Sequence, residues 1–353
     1  MKKNTTKMTI GIDLGDTMSQ ICILDSDSEK VWEGSIRTTA TRFTKFFAPY
    51  HQSTAAIEAG THSPWVSHLL SSMGLKVYVA NPFKVTAMWK THYKSDKRDA
   101  LILAQIAQFN PSFLHPITHR NEDAQLDLAI IKSRDALVRA RTAWVNHIRG
   151  TVKQFGLRVK ASSTEAFPKR FMENLEDFPE PLIPALLPIV KLIDQLTQQI
   201  RVYDKQIERL CNTKYTETLS VRQIQGVGPV TALAFVLTFE SPERFPDRRR
   251  AGSFLGLTPR RDQSGSSDKQ LRISKHGNPY LRRLLVACAQ YILGPHARES
   301  DLRTYGERIF KRGGKNAKRR AVVAVARKLS VLMLALWATG EVYDPLRHSK
   351  KAA

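Results

Sequence analysis

Cysteine is nearly missing from this chain. Its 353 residues include three, Cys22, Cys211 and Cys288, too far apart to suggest a metal-binding pair or a disulfide framework. That excludes a disulfide-stapled secreted scaffold and makes a reducing cytoplasm the expectation. Acidic residues are outnumbered: 32 Asp and Glu face 55 Lys and Arg, a formal charge of +23. An excess of that size needs an anionic partner. Long apolar runs are also missing. The best stretch, Leu329 to Trp337, is short and follows Arg327-Lys328, so it reads as a core helix rather than a bilayer span. Nucleic acid is therefore the expected partner, and a membrane is not. Met1-Lys2-Lys3 leads into polar residues and then a strand, with no secretory pattern. Internal repeats are absent too, which excludes a repeat architecture. The length is enough for two or three domains with cores of their own.

Against that basic background four acids stand out. Asp13 ends the apolar run Met8-Thr9-Ile10-Gly11-Ile12, and Glu58 ends Thr54-Ala55-Ala56-Ile57. Both runs read as strands. Asp96 and Asp99 stand three apart where a helical pattern begins, Ala100-Leu101-Ile102-Leu103-Ala104, so they share one helix face. Taken singly, Asp13 could be a turn residue, and Asp96 with Asp99 a first-turn dipole pair. Taken together, in the order strand, strand, helix, they form a candidate metal site. Oxygen ligands of this kind suit Mg²⁺ or Mn²⁺, and two such ions about 4 Å apart can cut or join phosphodiesters.

The pattern along the chain predicts an α/β sheet first. Strands are expected at Met8–Leu14, Gln20–Leu24, Val31–Ile36, up to Glu58, and Lys76–Ala80, with helices at Thr41–Phe47 and Ser63–Met73. One long helix is expected from Asn121 to Phe155, with Arg134 and Arg149 among its cations, followed by a Pro-containing linker over 156–181. A heptad seam then runs through Leu182, Leu186, Ile189, Ile193, Leu196, Ile200, Tyr203, Ile207 and Leu210. Such a seam pairs with another helix, within the chain or in another protomer. Gln225-Gly226-Val227-Gly228-Pro229 precedes an apolar helix. It is either a plain turn or a phosphate-holding hairpin. From Phe245 to Arg283 cations are dense, including Arg260, Arg261, Lys269, Arg272, Lys275, Arg282 and Arg283, around a polar loop, Asp262-Gln263-Ser264-Gly265-Ser266-Ser267. Further basic runs follow at Lys311-Arg312-Gly313-Gly314-Lys315 and Lys318-Arg319-Arg320. Ser264 alone says little, because Ser-Gly is ordinary turn chemistry. A serine attacks phosphorus only when its alkoxide is stabilised, and the surrounding cations would also stabilise an attacked phosphate.

The ordered set of motifs resembles one family, the bacterial insertion-sequence transposases of the IS-one-ten group and its IS-eleven-eleven branch. Gly11-Ile12-Asp13, Ile57-Glu58-Ala59 and Lys94-Ser95-Asp96-Lys97-Arg98-Asp99-Ala100 resemble the three motifs of their RuvC-like (RNase H-like) domain. Gly226-Val227-Gly228, Leu257-Thr258-Pro259-Arg260-Arg261, Ser264-Gly265-Ser266-Ser267, Ile273-Ser274-Lys275-His276-Gly277 and Leu281-Arg282-Arg283 resemble their C-terminal domain. The likeness runs from about residue 8 to 348. Ser95 stands where many relatives have Thr, and Thr61-His62-Ser63-Pro64-Trp65 departs from the Gly-Thr-Tyr type of sequence.

The resemblance implies an α/β RuvC-like domain over 1–120, long helices and a coiled coil over 121–215, and a mostly helical transposase domain over 216–353. It implies that Asp13, Glu58, Asp96 and Asp99 bind Mg²⁺ and that Ser264 becomes linked to DNA. It also implies that strands pass between donor and target double-stranded DNA under a structured non-coding guide (bridge) RNA. The bacterial protein would be nucleoid-associated and work as a homo-oligomer, dimer or tetramer, with an active site shared between protomers. Three rival readings remain: a RuvC-like nuclease using metal and water alone, a sugar-kinase or actin-like ATPase suggested by Gly11-Ile12-Asp13-Leu14-Gly15, and a non-catalytic nucleic-acid-binding protein. The ATPase reading lacks a second phosphate loop and an adenosine motif.

Overall fold

The computed structural model describes residues 8–82, 84, 95–265 and 267–348, with Lys269 and Gln270 described by backbone alone. Lys94 of the third motif and Ser266 of the serine loop lie outside the described residues. The chain divides into two compact units, the first ending at Asn121 and the second starting at Glu122.

The first unit is a five-stranded sheet with helices on both faces. The strands are β1 (Thr9–Asp13), β2 (Met18–Leu24), β3 (Lys30–Arg37), β4 (Thr54–Glu58) and β5 (Lys76–Ala80), and the helices α1 (Ala40–Phe47), α2 (Ser63–Ser72) and α3 (Asp96–Phe109). The strand order is β3-β2-β1-β4-β5. The first three strands form an antiparallel meander, while β1, β4 and β5 run parallel. The period of two along each strand decides what packs where. Ile10 and Ile12 of β1 and Ile57 of β4 join Phe43, Phe47, Val66 and Leu70 from α1 and α2. Positions of the opposite parity, Cys22 and Ala56, face α3 through Ala100, Leu103, Ala104 and their neighbours. Each buried Ile or Phe contributes about 1.5–3 kcal/mol, so the central strands are fixed on both sides.

Gly11 is required on the α3 side. A Cβ there would lie 1.9 Å from the Ala100 carbonyl oxygen and 2.5 Å from the Ala104 nitrogen. The helix therefore crosses β1 at backbone contact.

The second unit is helical. Its helices are α4 (Glu122–Lys153), α5 (Phe167–Met172), α6 (Ile183–Thr213), α7 (Thr218–Arg222), α8 (Pro229–Phe239), α9 (Arg250–Phe254), α10 (Pro279–Ile292), α11 (Asp301–Lys311) and α12 (Ala317–Thr339). The one sheet in the unit among the described residues is the antiparallel ribbon of β6 (Pro259–Ser264) and β7 (Ser267–Ile273). α4 and α6 pack as an antiparallel pair: Asp127, Arg134 and Arg141 meet Lys214, Asp204 and Thr197 in turn. The seam thus has a partner within the chain. Its phase differs from the expected heptad. Leu186, Val190, Ile193, Thr197, Ile200, Ile207 and Cys211 are buried, whereas Ile189, Leu196, Tyr203 and Leu210 are only half-buried. Thr197 and Asp204 escaped the apolar pattern because they are polar, and Arg141 and Arg134 on α4 satisfy them. The expected linker is also partly ordered, since Phe167 and Phe171 of α5, with Phe178, pack into the core between α4 and α6.

α8 is the buried centre of the unit, with every residue from Thr231 to Phe239 out of solvent. Around it lie α10, α11 and α12. The Leu329–Trp337 run belongs to this last helix, which at 23 residues is long and apolar enough by length and composition to cross a membrane. That corrects the reading of a short run. Val325, Leu329, Met333 and Leu334 are nevertheless wholly buried against the other helices, as in a core helix. All three cysteines are buried, and burial pushes each thiol above its ordinary pKa, which leaves them inert.

Candidate active site

Asp13 and Glu58 are brought together by the sheet. β1 and β4 are parallel neighbours with Ile12 opposite Ile57, so the next residue in each strand, Asp13 and Glu58, stands at the same sheet edge. α3 supplies the other two. Its C-terminal Gln108 donates to the Asp25 carbonyl (2.6 Å) just beyond β2, and β2 runs antiparallel to β1. The N-terminus of α3, with Asp96 and Asp99, therefore points toward the Asp13 end of the sheet. Ser95 caps the helix, its Oγ accepting from the Arg98 N–H at 3.4 Å. Two acids in the first turn suit the positive end of the helix dipole.

All four carboxylates thus lie on one side of the unit. Among the described residues no three Asp, Glu, His or Cys side chains converge on one ligating point. The edge presents its donors rather than enclosing a cage. As a set of hard oxygen donors it fits Mg²⁺ or Mn²⁺.

Two further residues at this edge were not singled out by sequence. His62, four residues past Glu58, contacts Asp16, three past Asp13, at 3.1 Å. The Trp65 indole N–H donates to His62 Nδ1 at 3.1 Å, so in the neutral ring Nε2 carries the proton toward Asp16. Ser63 accepts from Gly60 N–H at 2.9 Å and donates to the Gly60 carbonyl at 2.8 Å, and it meets His119 Nε2 at 2.9 Å. Burial lowers the His119 pKa and keeps that ring neutral. The loops after both acid-bearing strands are tied together by these contacts. Their positions just past the two strand-end acids are the signal that could have found them.

The serine sits in different surroundings. The expected polar loop is a hairpin ribbon, with Ser264 opposite Ser267 and Asp262 opposite Lys269, turning at Gly265 with φ +54°. Ser264 is exposed and shares a strand face with Asp262, while Arg261 belongs to the other face. Among the described residues Ser264 forms no side-chain hydrogen bond. Arg260, Arg261, Arg272 and Lys275 are exposed and carry no ion pair among the described residues.

The other cations expected at a nucleic-acid surface have protein partners. Arg134 pairs with Asp204 and Arg283 with Asp135. Arg149 donates to the Ser162 carbonyl at 2.9 Å and lies over the Phe167 ring. Arg282 donates to the carbonyls of Leu255 (2.9 Å) and His276 (3.1 Å), bracing the base of the ribbon.

Two family descriptions match this chain, in the order of the two units. A DEDD-type transposase domain of the IS110 group covers residues 10–156. The domain described as Transposase IS116/IS110/IS902 family covers residues 220–305. The chain belongs to the IS110/IS116 transposase family. Its relatives align over most of their length. The transposase for insertion sequence element IS1111A of Coxiella burnetii is 29% identical over 95% of this chain and 90% of its own. The transposase for IS1328 of Yersinia enterocolitica is 27% identical over 80% and 82%. The pilin gene-inverting protein of Moraxella bovis is 25% identical over 97% and 99%. As a family member the chain is a DNA-cleaving and DNA-recombining enzyme, and its sheet domain is of the DEDD nuclease type, which is metal-dependent.

Proposed function

We propose that Asp13, Glu58, Asp96 and Asp99 hold Mg²⁺ or Mn²⁺ and that Ser264 attacks a DNA phosphate served by that site. The delivery of four carboxylates to one sheet end, by two parallel strands and one helix N-terminus, carries this reading. A divalent cation there supplies charge stabilisation at the attacked phosphate and favours an ionised nucleophile. The Ser264 hydroxyl proton passes to water as the Oγ–P bond forms. The P–O bond to one DNA strand breaks, and water returns a proton to the departing oxygen. Attack on the serine phosphodiester by a hydroxyl of the second duplex restores a DNA phosphodiester and frees Ser264. The bond count is conserved, so no nucleotide cofactor is consumed. Arg260, Arg261, Lys269, Arg272 and Lys275, along the ribbon and at its root, would add phosphate-binding charge.

In this reading the substrates are donor and target double-stranded DNA, selected by a structured non-coding guide RNA. The chain works as a dimer or tetramer, with the half-buried row Ile189, Leu196 and Tyr203 available beside the internal seam. The charge of +23 supports a partner load larger than one duplex. Among the described residues no base is hydrogen-bonded to Ser264, which favours a second reading, hydrolysis or strand transfer by metal and water alone.

A covalent trap separates them. The protein is expressed with its native flanking DNA, purified under denaturing conditions and digested with nuclease and protease, and the Ser264 peptide is weighed. A nucleotide adduct, absent from Asp96→Asn, is expected. Recombination products without an adduct would establish the second reading.

A further inference from the structure

The turn joining α11 to α12 lies beyond both matched family domains, and its charge is unexplained by the fold. Residues 308–340 contain nine Lys and Arg and no Asp or Glu. Lys311, Arg312, Lys315, Lys318 and Arg319 are exposed and form no ion pair among the described residues. Some surface cations elsewhere in this unit do have acidic partners, as in Arg303–Glu307, Arg222–Glu208, Arg201–Glu165 and Arg347–Glu341, whereas this stretch of chain has no acid of its own to supply one.

The placement also runs against helix electrostatics. α11 follows the usual polarity, with Ser300 accepting from the Arg303 N–H, Asp301 in its first turn and Lys311 in its last. α12 inverts it. Lys318, Arg319 and Arg320 crowd the positive end of the helix, and Asn316 makes no side-chain cap. Each such cation costs up to about 1 kcal/mol in an isolated protein. The turn is nevertheless held in shape. Gly313 and Gly314 take φ of +72° and +89°, Arg320 donates to the Gly313 carbonyl, and Ala317 and Ala321 are buried beneath. A fixed, exposed array of unpaired cations that opposes its own helix is compensated when phosphates lie against it.

We infer that this turn is a second contact to duplex DNA, gripping the phosphate backbone without regard to sequence through Lys311, Arg312, Lys315, Lys318 and Arg319. Lysine, arginine and glycine are the chemistry of backbone positioning rather than of base reading. Duplex DNA is the occupant because DNA is what this family of enzymes cuts and joins. The inference stands independently of Ser264.

The test uses the full chain and an arbitrary duplex. Changing all five cations to Gln, with Arg320 kept to hold the turn, removes up to five phosphate contacts. The slope of log affinity against log salt should fall by up to about 4.5. Between about 50 and 200 mM salt the unmodified protein should lose up to roughly 500-fold more affinity than the variant. A second variant, Lys318→Glu with Arg319→Glu, repairs the helix dipole. It should raise the melting temperature while weakening duplex binding, an opposition that a merely structural role would not produce. Both variants should still form the Ser264 adduct at saturating DNA if that chemistry operates. An unchanged slope and affinity in either variant would overturn the inference. So would a loss confined to a structured RNA probe, or a fall in both stability and binding for the glutamate pair.

Discussion

The two units place chemistry in opposite ways. Residues 1–121 carry 14 cations against 9 acids, and residues 122–353 carry 41 against 23. In the first unit two candidate acids end strands buried on both faces and two open the helix packed on that sheet, so each position is fixed by apolar packing one to four residues away. In the second unit the candidate nucleophile stands at the tip of an exposed ribbon, seven residues along the chain from the nearest core residue, Leu257. A carboxylate set must hold several charges at matched spacing, which a rigid sheet edge supplies. A nucleophile that becomes joined to DNA must be open to substrate, which an exposed ribbon tip allows. The difference is therefore one of stability cost. Changes around the first site should disturb the fold, and changes at the second should not.

The largest expected effect is chemical. Asp13→Asn or Asp96→Asn should reduce strand cleavage by on the order of 10³ or more, as expected from several kcal/mol of lost charge stabilisation, while nucleic-acid binding persists in gel-shift assays. Retained cleavage by either variant would remove that residue from the site. Ser264→Ala should abolish covalent adducts on denaturing gels with the melting temperature unchanged. A large loss of stability would break the contrast between the units. Gly11→Ala carries no catalytic group, yet it should destabilise by about 1–3 kcal/mol, the usual cost of overpacking, and more if α3 is pushed off β1. Chemical denaturation of the variant would measure it.

The smallest effect concerns Tyr280. Its buried hydroxyl has no hydrogen-bond partner among the described residues, and burial, aided by Asp135, pushes its pKa up to about 12. The folded protein favours the neutral phenol. That contribution is full below an unfolded pKa of about 10 and is lost as pH rises through about 12. Tyr280→Phe should change stability by less than about 1 kcal/mol at neutral pH. It should also remove this part of the alkaline loss, as seen by comparing melting temperatures from pH 9 to 12.

The first unit was legible because its signals are local. Apolar runs that stop at Asp13 and Glu58 state both the strand and its end, and Asp96 with Asp99 marks a helix start. Pairing order and the close approach at Gly11 needed the structure. The second unit hides more, since its informative contacts join distant residues. Arg134 meets Asp204 and Arg283 meets Asp135 across long stretches of chain, so cations that read as free for nucleic acid are engaged. Polar Thr197 and Asp204 disguised the true phase of the α6 seam. Phe167 and Phe171 gave too short a signal for α5. His62 and Asp16 were invisible as a pair, because only the sheet makes their loops neighbours.

The base of the ribbon is a joint made of two glycines. A Cβ on Gly256 would lie 2.1 Å from the His276 carbonyl oxygen, and one on Gly277 would lie 2.0 Å from that of Phe254. Both glycines take positive φ, +66° and +83°. Ribbon length turns this local fit into leverage. Six residues of strand at roughly 3.3 Å each put the tip about 17 Å from its root. A tilt of 10° at the root then swings the tip by about 3 Å on that lever arm. Catalytic groups lose on the order of 10²-fold for a misplacement of about 1 Å. For a nucleophile carried at that tip, the angular tolerance at the joint is roughly 3°, so Gly256 and Gly277 set the aim of a residue they never touch.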